Sequence, residues 1–374
     1  MNSNPEITFG TRIRKSPFFE STIKWGCKGF TTYNRMYMPT YYSSFVDDYW
    51  SLVNDVTLWD VAGERQVEIK GKDAEQFVEF ITPRDISKCK VGQCMYIILT
   101  EKNGGIVNDP VLLKLDENHF WLSTADSDVL LWCLGIASAN KFDVQLGEPD
   151  VFPLSLQGPK ATDLMEKISG NWVRDLKFFY FKETTIDDIP VMIARSGWSG
   201  EVGYEIYLMD GEKGNKLWEI IMKAGQEFKI APAAPSQISR IESGMLSYGN
   251  DMTLDENPFD LGMDKFVNLQ KKADFLSKKA LTDIHKNGPT KELIGIEIPG
   301  NFQDEFSSDY VPIYSDSDKV GRITSSVYSP RLKKNIALGI INKRSGSVNG
   351  SYFIKKNNSD FEINVCDLPF LRNK

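Results

Sequence analysis

Beyond residue 285 the chain reads as strands separated by turns, and that change of pattern constrains its fold more than any other feature. The polar segment Lys286-Asn287-Gly288-Pro289-Thr290-Lys291-Glu292 breaks the helical periodicity before it. Five β-rich runs follow, over residues 293–298, 311–314, 319–327, 337–341 and 352–355. Turn residues recur between them at short intervals, the pattern of a small all-β barrel or jelly roll. A domain boundary therefore falls within residues 280–292. It separates a larger α+β region, residues 1–280, from a C-terminal barrel, residues 281–374. A chain of 374 residues has room for two or three such domains.

The larger region mixes both periodicities. Residues 45–60 carry apolar side chains at helical spacing and lead to a short strand, Gln66–Lys70. Residues 71–81, 127–140, 161–168 and 214–226 read as further helices, and Ser236 is placed to cap another. Strands are expected at 94–100, 106–115, 119–123, 151–157, 185–189, 191–195 and 203–208. The loop 196–202 lies between the last two. No segment repeats at a period of 20–50 residues, so a solenoid is excluded.

Composition narrows the chemistry. Only two histidines are present, His119 and His285, which leaves too few imidazoles for His-rich zinc or iron sites. His119 follows an Asp-Glu-Asn turn and His285 lies on a polar helix, so neither suits a Ser-His-Asp triad. The expectation is a site without metal. The five cysteines are odd in number, irregularly spaced and free of any Cys-x-x-Cys pair, as in reduced, buried thiols. A net charge of −7 with dispersed basic residues argues against nucleic acid or an anionic membrane as partner. The first residues lack the apolar core of a secretion signal, and no apolar run approaches the roughly 20 residues of a membrane span. These features predict a soluble, cytoplasmic protein.

The chemistry-bearing segments are glycine-rich loops with lone carboxylates. Gly104-Gly105-Ile106-Val107-Asn108-Asp109 is a tight turn that delivers Asp109 to a strand. The run RSGWSGEVGYEIY, residues 195–207, ends in a strand holding Glu205 and Tyr207, which two-residue alternation puts on one face. Arg240 to Gly244 and Tyr248 to Asp251 form a third charged segment. Carboxylates beside glycines commonly cap turns, so each alone says little. Gly197-Trp198-Ser199-Gly200 misses the spacing of a nucleophile elbow.

Taken in order, GGIVND, RSGWSGEVGYEIY, SRIESGMLSYGNDM and GRITSSVYSPRLKKNIALGII resemble the aminomethyltransferase (T-protein) family of the glycine cleavage system. LWDVAGERQVEIKG and the terminal CDLPFL resemble that family's opening and closing motifs. The resemblance spans nearly the whole chain. It implies a three-domain α+β cloverleaf with tetrahydrofolate in a central channel. Carried over residue by residue, it implies that Asp109 lies beside the reactive N5/N10 region and that Glu205 grips the pterin edge. Tyr96, Ser123, Trp172, Tyr207 and Arg240 are further candidates for the folate channel, with a core tryptophan as the other reading of Trp172.

The sequence also departs from that family. Asp60-Val61-Ala62-Gly63-Glu64-Arg65 stands where the family carries Asp-Val-Ser-His-Met, and Asn108-Asp109 replaces paired aspartates. The segment RIRKSPFFESTIKWGCKGFTTYNRMYMP is dense in rings. Most of these rings suit a hydrophobic first domain. A few, with Trp198, suit an aromatic cage for a cation that donates no hydrogen bond, such as a sulfonium or quaternary ammonium. Phe18, Phe19, Tyr33, Trp198 and Tyr207 are the candidates. That combination resembles the dimethylsulfoniopropionate demethylase branch of the superfamily. It implies methyl transfer from sulfur to N5 of tetrahydrofolate, giving methylthiopropionate and 5-methyltetrahydrofolate. The substrate carboxylate needs a cation, for which Arg14, Lys15, Lys24, Lys28, Arg35 and Arg195 are candidates. Small-molecule substrate and folate are the expected partners, and a homodimer is the one assembly considered. An aminomethyltransferase or an O- or N-demethylase is the alternative activity.

Overall fold

The computed structural model describes residues 9–300, 310–343, 351–356 and 359–371. Three sheets, each with its own core, account for most of the architecture. The first is antiparallel, in the order Gln145–Gly147, Gln66–Lys70, His119–Ser123, Val111–Asp116, Gln93–Tyr96. Helices Ala74–Ile81 and Val129–Asn140 cover it, burying Phe77, Phe120 and Leu122.

The second sheet runs Phe181–Ile186, Ile189–Ala194, Gly203–Leu208, Phe152–Gln157, Val56–Asp60, Ile230–Ala233, and only its last pair is parallel. One face packs on helices Ala161–Ser169 and Gly214–Ala224 through Tyr204, Ile206, Leu217 and Trp218. The other face, through Met192, Ala194 and Tyr207, meets Cys94, Leu113 and Trp121 of the first sheet. The site forms on this inner face. The third sheet is a closed six-stranded barrel.

Several elements differ from the sequence-based expectation for identifiable reasons. The helix begun at Phe45 stops at Asn54, and Val56–Asp60 is a strand buried along its whole length. A run buried on both faces carries no alternation, so period alone cannot separate it from a helix. The strand expected at 185–189 is instead Phe181–Ile186, because Asp187 and Asp188, with φ of 48° and 61°, form the hairpin turn. Helix Lys278–Asn287 fills the start of the expected boundary, and the barrel begins at Lys291. The barrel also has a sixth strand, Ser359–Cys366, which pairs with Lys291–Ile298 and closes it. Acidic and amide residues dilute its apolar positions, which hid it in the sequence. No helix among the described residues is long and apolar enough to cross a membrane.

Candidate active site

Asp109 owes its position to an interruption. The strand Ile106–Asn108 cannot continue into Val111–Asp116 because Pro110 has no N–H to donate, so Asp109 stands at the break. The neighbouring Asn108 is fully buried and acts as a latch. Its amide donates to the Ala125 carbonyl at 3.0 Å and the Ser127 hydroxyl at 2.8 Å, and its oxygen accepts from the Ala125 N–H at 3.1 Å. Tyr96 donates its hydroxyl to Asp109 Oδ2 at 2.9 Å, while Oδ1 is buried without a partner. Burial, with a smaller push from Asp251, raises this carboxyl to about 7 against the Tyr96 hydrogen bond.

Glu205 and Tyr207 do share a face of the Gly203–Leu208 strand, as alternation predicts. Ser196 and Tyr207 both donate to Glu205 Oε2, Tyr207 at 3.1 Å. Oε1 receives no hydrogen bond among the described residues. Burial raises the Glu205 carboxyl despite these two donors. Tyr207 also reaches the Ser123 hydroxyl, which accepts from Gln66 Nε2 at 2.9 Å. Gln66 Oε1, like Asp109 Oδ1, is a buried acceptor left without a donor.

The third acid is Glu64, in the turn between Val56–Asp60 and Gln66–Lys70. Burial raises its carboxyl well above the ordinary range, and Glu205 and Asp109 add to the shift. Tyr33 lies nearby because the tip of its hairpin is clamped. Asn34, at φ 48°, donates through its amide to the carbonyls of Gly63, Thr124 and Ala125. Gly63 leaves room for the Tyr33 ring, whose Cβ and Cδ1 would lie 3.3 Å from any Cβ placed there.

The 196–202 loop is held by Gln157, which the sequence gave no reason to select. Its amide donates to the Ser196 carbonyl at 3.2 Å and its oxygen accepts from Ser199 at 2.6 Å. A Cβ on Gly203 would collide with this carboxamide. Gly203→Ala should therefore cost about 1–3 kcal/mol through overpacking, read from urea unfolding. A change within a few tenths would mean that the loop relaxes freely.

Two other candidate residues spend their hydrogen bonds within the protein. Trp172 packs against the helix-side core of the second sheet, opposite Glu205 and Tyr207, with its Nε1 donating to the Ser169 carbonyl at 2.7 Å. That is the core reading of this tryptophan. Arg240 is 1% exposed and turns to Asp251 at 2.7 Å, and also to Gln237, Met245 and Ser325. Its guanidinium lies 5.7 Å from the Trp198 ring centre.

The five expected cage rings do not gather. Phe18 is fully buried beside Trp218, and Phe19 joins a separate cluster with Phe9, Phe30 and Tyr37. Tyr33 and Tyr207 are the two that accompany the acids. Of the candidate cations, Arg14, Lys15, Lys24 and Arg35 pair with Glu148, Glu20, Glu219 and Asp128. Lys28 and Arg195 donate to the carbonyls of Ser43 and Leu176.

The assembly thus presents three acids, Glu205 buried and Asp109 and Glu64 partly buried, together with the unsatisfied acceptors Asp109 Oδ1 and Gln66 Oε1. Buried acceptors of this kind call for donors from a ligand. The amino and ring N–H groups of a reduced pterin are donors of the kind these oxygens would accept.

Comparison with known proteins agrees with this architecture. The profile of the GCVT N-terminal domain matches residues 18–271, and that of the glycine cleavage T-protein C-terminal barrel domain matches residues 291–371. The dimethylsulfoniopropionate demethylase DmdA of Ruegeria pomeroyi is 41% identical over 332 residues, covering 89% of this chain and 90% of its own. An aminomethyltransferase of Alkaliphilus metalliredigens is 33% identical over 313 residues, 82% of this chain and 84% of its own. The crystal structure of glycine cleavage system aminomethyltransferase T from Bartonella henselae superimposes with a TM-score of 0.85 at 24% identity, covering 96% of this chain and 98% of that one.

Proposed function

We propose that this chain, which belongs to the glycine cleavage T-protein family, moves a methyl group from the sulfonium of dimethylsulfoniopropionate to tetrahydrofolate. The products are methylthiopropionate and 5-methyltetrahydrofolate. The observation that carries this reading is the gathering of Glu64, Glu205 and Asp109 near enough for the last two to raise the Glu64 carboxyl, with Asp109 Oδ1 left without a donor. Such a group of acids suits a donor-rich pterin and a positively charged methyl donor together. The 41% identity to a dimethylsulfoniopropionate demethylase supports the choice of donor. The reading places the reaction in the cytoplasm, with small molecules as its partners.

When bound, tetrahydrofolate supplies at N5 the lone pair that takes the methyl. Asp109 holds that region through its free Oδ1, and Glu205 holds the pterin amino edge through Oε1. Ser196 and Tyr207 keep Glu205 oriented. The leaving group is a neutral thioether and needs no proton, so the acids position rather than protonate. Alignment of nitrogen, carbon and sulfur then contributes most of the rate. The packed core of Cys94, Trp121 and Tyr207 beneath the acids makes this inner face poor in water.

A carboxylate raised to about 7 is neutral below that pH and charged above it. As pH falls through this value, Asp109 loses its full capacity as an acceptor. The kcat/KM for folate should then fall about tenfold per pH unit, because this ratio reports the free enzyme. Asp109→Asn should flatten that limb; an unchanged limb would assign it to another group.

The reading itself is tested by incubating purified protein with both substrates and measuring both products. Equal amounts, absent when folate is omitted, support it. Methylthiopropionate without methylated folate would overturn it.

A further inference from the structure

Resting on the demethylase reading, we propose that Glu64 is the anionic partner of the substrate's sulfonium and so sets the enzyme's preference for a cationic methyl donor. Asp109 and Glu205 each accept from protein donors, Tyr96 on Asp109 and both Ser196 and Tyr207 on Glu205. Glu64 differs from both. Its side chain accepts no hydrogen bond among the described residues, and it stays half-buried in the turn at the mouth of two strands.

The ionisable groups that face it are Glu205 and Tyr207 on one strand, Asp109 at the Pro110 break, and Tyr33 at the hairpin tip. None of them is a cation. The adjacent Arg65 turns away to Glu148. A partly desolvated carboxylate without a donor or a positive neighbour is disfavoured in its charged form, and burial accordingly favours its protonated form. Among the described residues no group of carboxylates, thiols or imidazoles is arranged to hold a metal ion.

A sulfonium matches this vacancy chemically. It carries a full positive charge but no N–H or O–H, so a carboxylate meets it through charge alone. An acid already supplied with donors would gain less from such a partner. Arrival of the cation makes the charged form of Glu64 favourable, and its proton leaves to solvent. Tyr33, packed on Gly63, brings an aromatic ring beside the same turn.

The test uses two unreactive analogues of the methyl donor that share its carboxylate, 3-(trimethylammonio)propanoate with a cationic head group and 4,4-dimethylpentanoate with an uncharged tert-butyl head group. Calorimetry with the full-length protein measures each, with wild type and Glu64→Gln compared in the presence of folate. Wild type should prefer the cation by about tenfold or more, and Glu64→Gln should lose most of that preference. Folate affinity should move less than about twofold, which also shows that the variant is folded. Calorimetry in buffers of different ionisation enthalpy should detect proton release on cation binding in wild type and its loss in the variant. Equal preference for the cation in both proteins would overturn the proposal. Turnover of dimethylsulfoniopropionate by wild type is a separate readout: its absence would remove the demethylase reading, while the analogues still decide what Glu64 does.

Discussion

Glu205→Gln should weaken folate binding about a hundredfold, from the loss of two charge-assisted hydrogen bonds. The substitution keeps the shape of the side chain and leaves an amide oxygen where Ser196 and Tyr207 donate. Folding is therefore preserved, and stability should move by no more than about 1 kcal/mol. What changes is the charge at the pterin edge. In the native protein burial disfavours the Glu205 carboxylate, and ligand N–H groups restore it on binding. An amide cannot gain that charge, and its NH2 meets donors with a donor. Fluorescence titration with tetrahydrofolate measures the loss directly. Affinity within threefold of wild type would mean that Glu205 serves the fold alone.

The second large effect is on stability. Asp251→Ala should destabilise the protein by about 3–5 kcal/mol, the range for breaking one side of a buried ion pair. Asp251 is fully buried, and its Oδ2 accepts from Arg240 at 2.7 Å and from the Ser247 N–H at 3.0 Å. Its Oδ1 accepts from Thr324 at 2.5 Å and Ser325 at 2.7 Å, both on a barrel strand. One carboxylate thus ties the helix Gln237–Glu242 to the barrel. Its removal strands the Arg240 guanidinium, which is 1% exposed, without a counter-charge. The urea midpoint reports the loss; an unchanged midpoint would show that the barrel docks independently of this pair. Asp251 also faces Asp109 and raises its carboxyl, so the same variant should move the pH limb of folate turnover to lower pH.

The sequence exposed those parts of the site that depend on local rules. Alternation in GYEIYL put Glu205 and Tyr207 on one face, and the Ser236 cap follows from side-chain chemistry, its hydroxyl accepting from the Ser239 N–H. The barrel was legible from turn spacing, except for the polar strand that closes it. Contacts across long sequence separations were not legible. Glu64 stood out in the sequence only as part of the segment that departs from Asp-Val-Ser-His-Met, because the acids it faces lie on other strands. Gln157 reads in sequence as an ordinary strand residue, because its contact with Gly203 arises only when the two strands pair. The cage was over-drawn for the same reason. Rings close in sequence, such as Phe18 and Phe19, point to different cores. Trp172 and Arg240 kept the chemistry of binding residues, but their hydrogen bonds are made within the protein.

The central claim is that the methyl donor is a sulfonium rather than the aminomethyl carrier used in glycine cleavage. Both donors should be offered separately to purified protein with tetrahydrofolate, and kcat/KM measured for each. The account predicts folate-dependent turnover of dimethylsulfoniopropionate and none of the aminomethylated lipoyl carrier. Turnover of the carrier alone would contradict it.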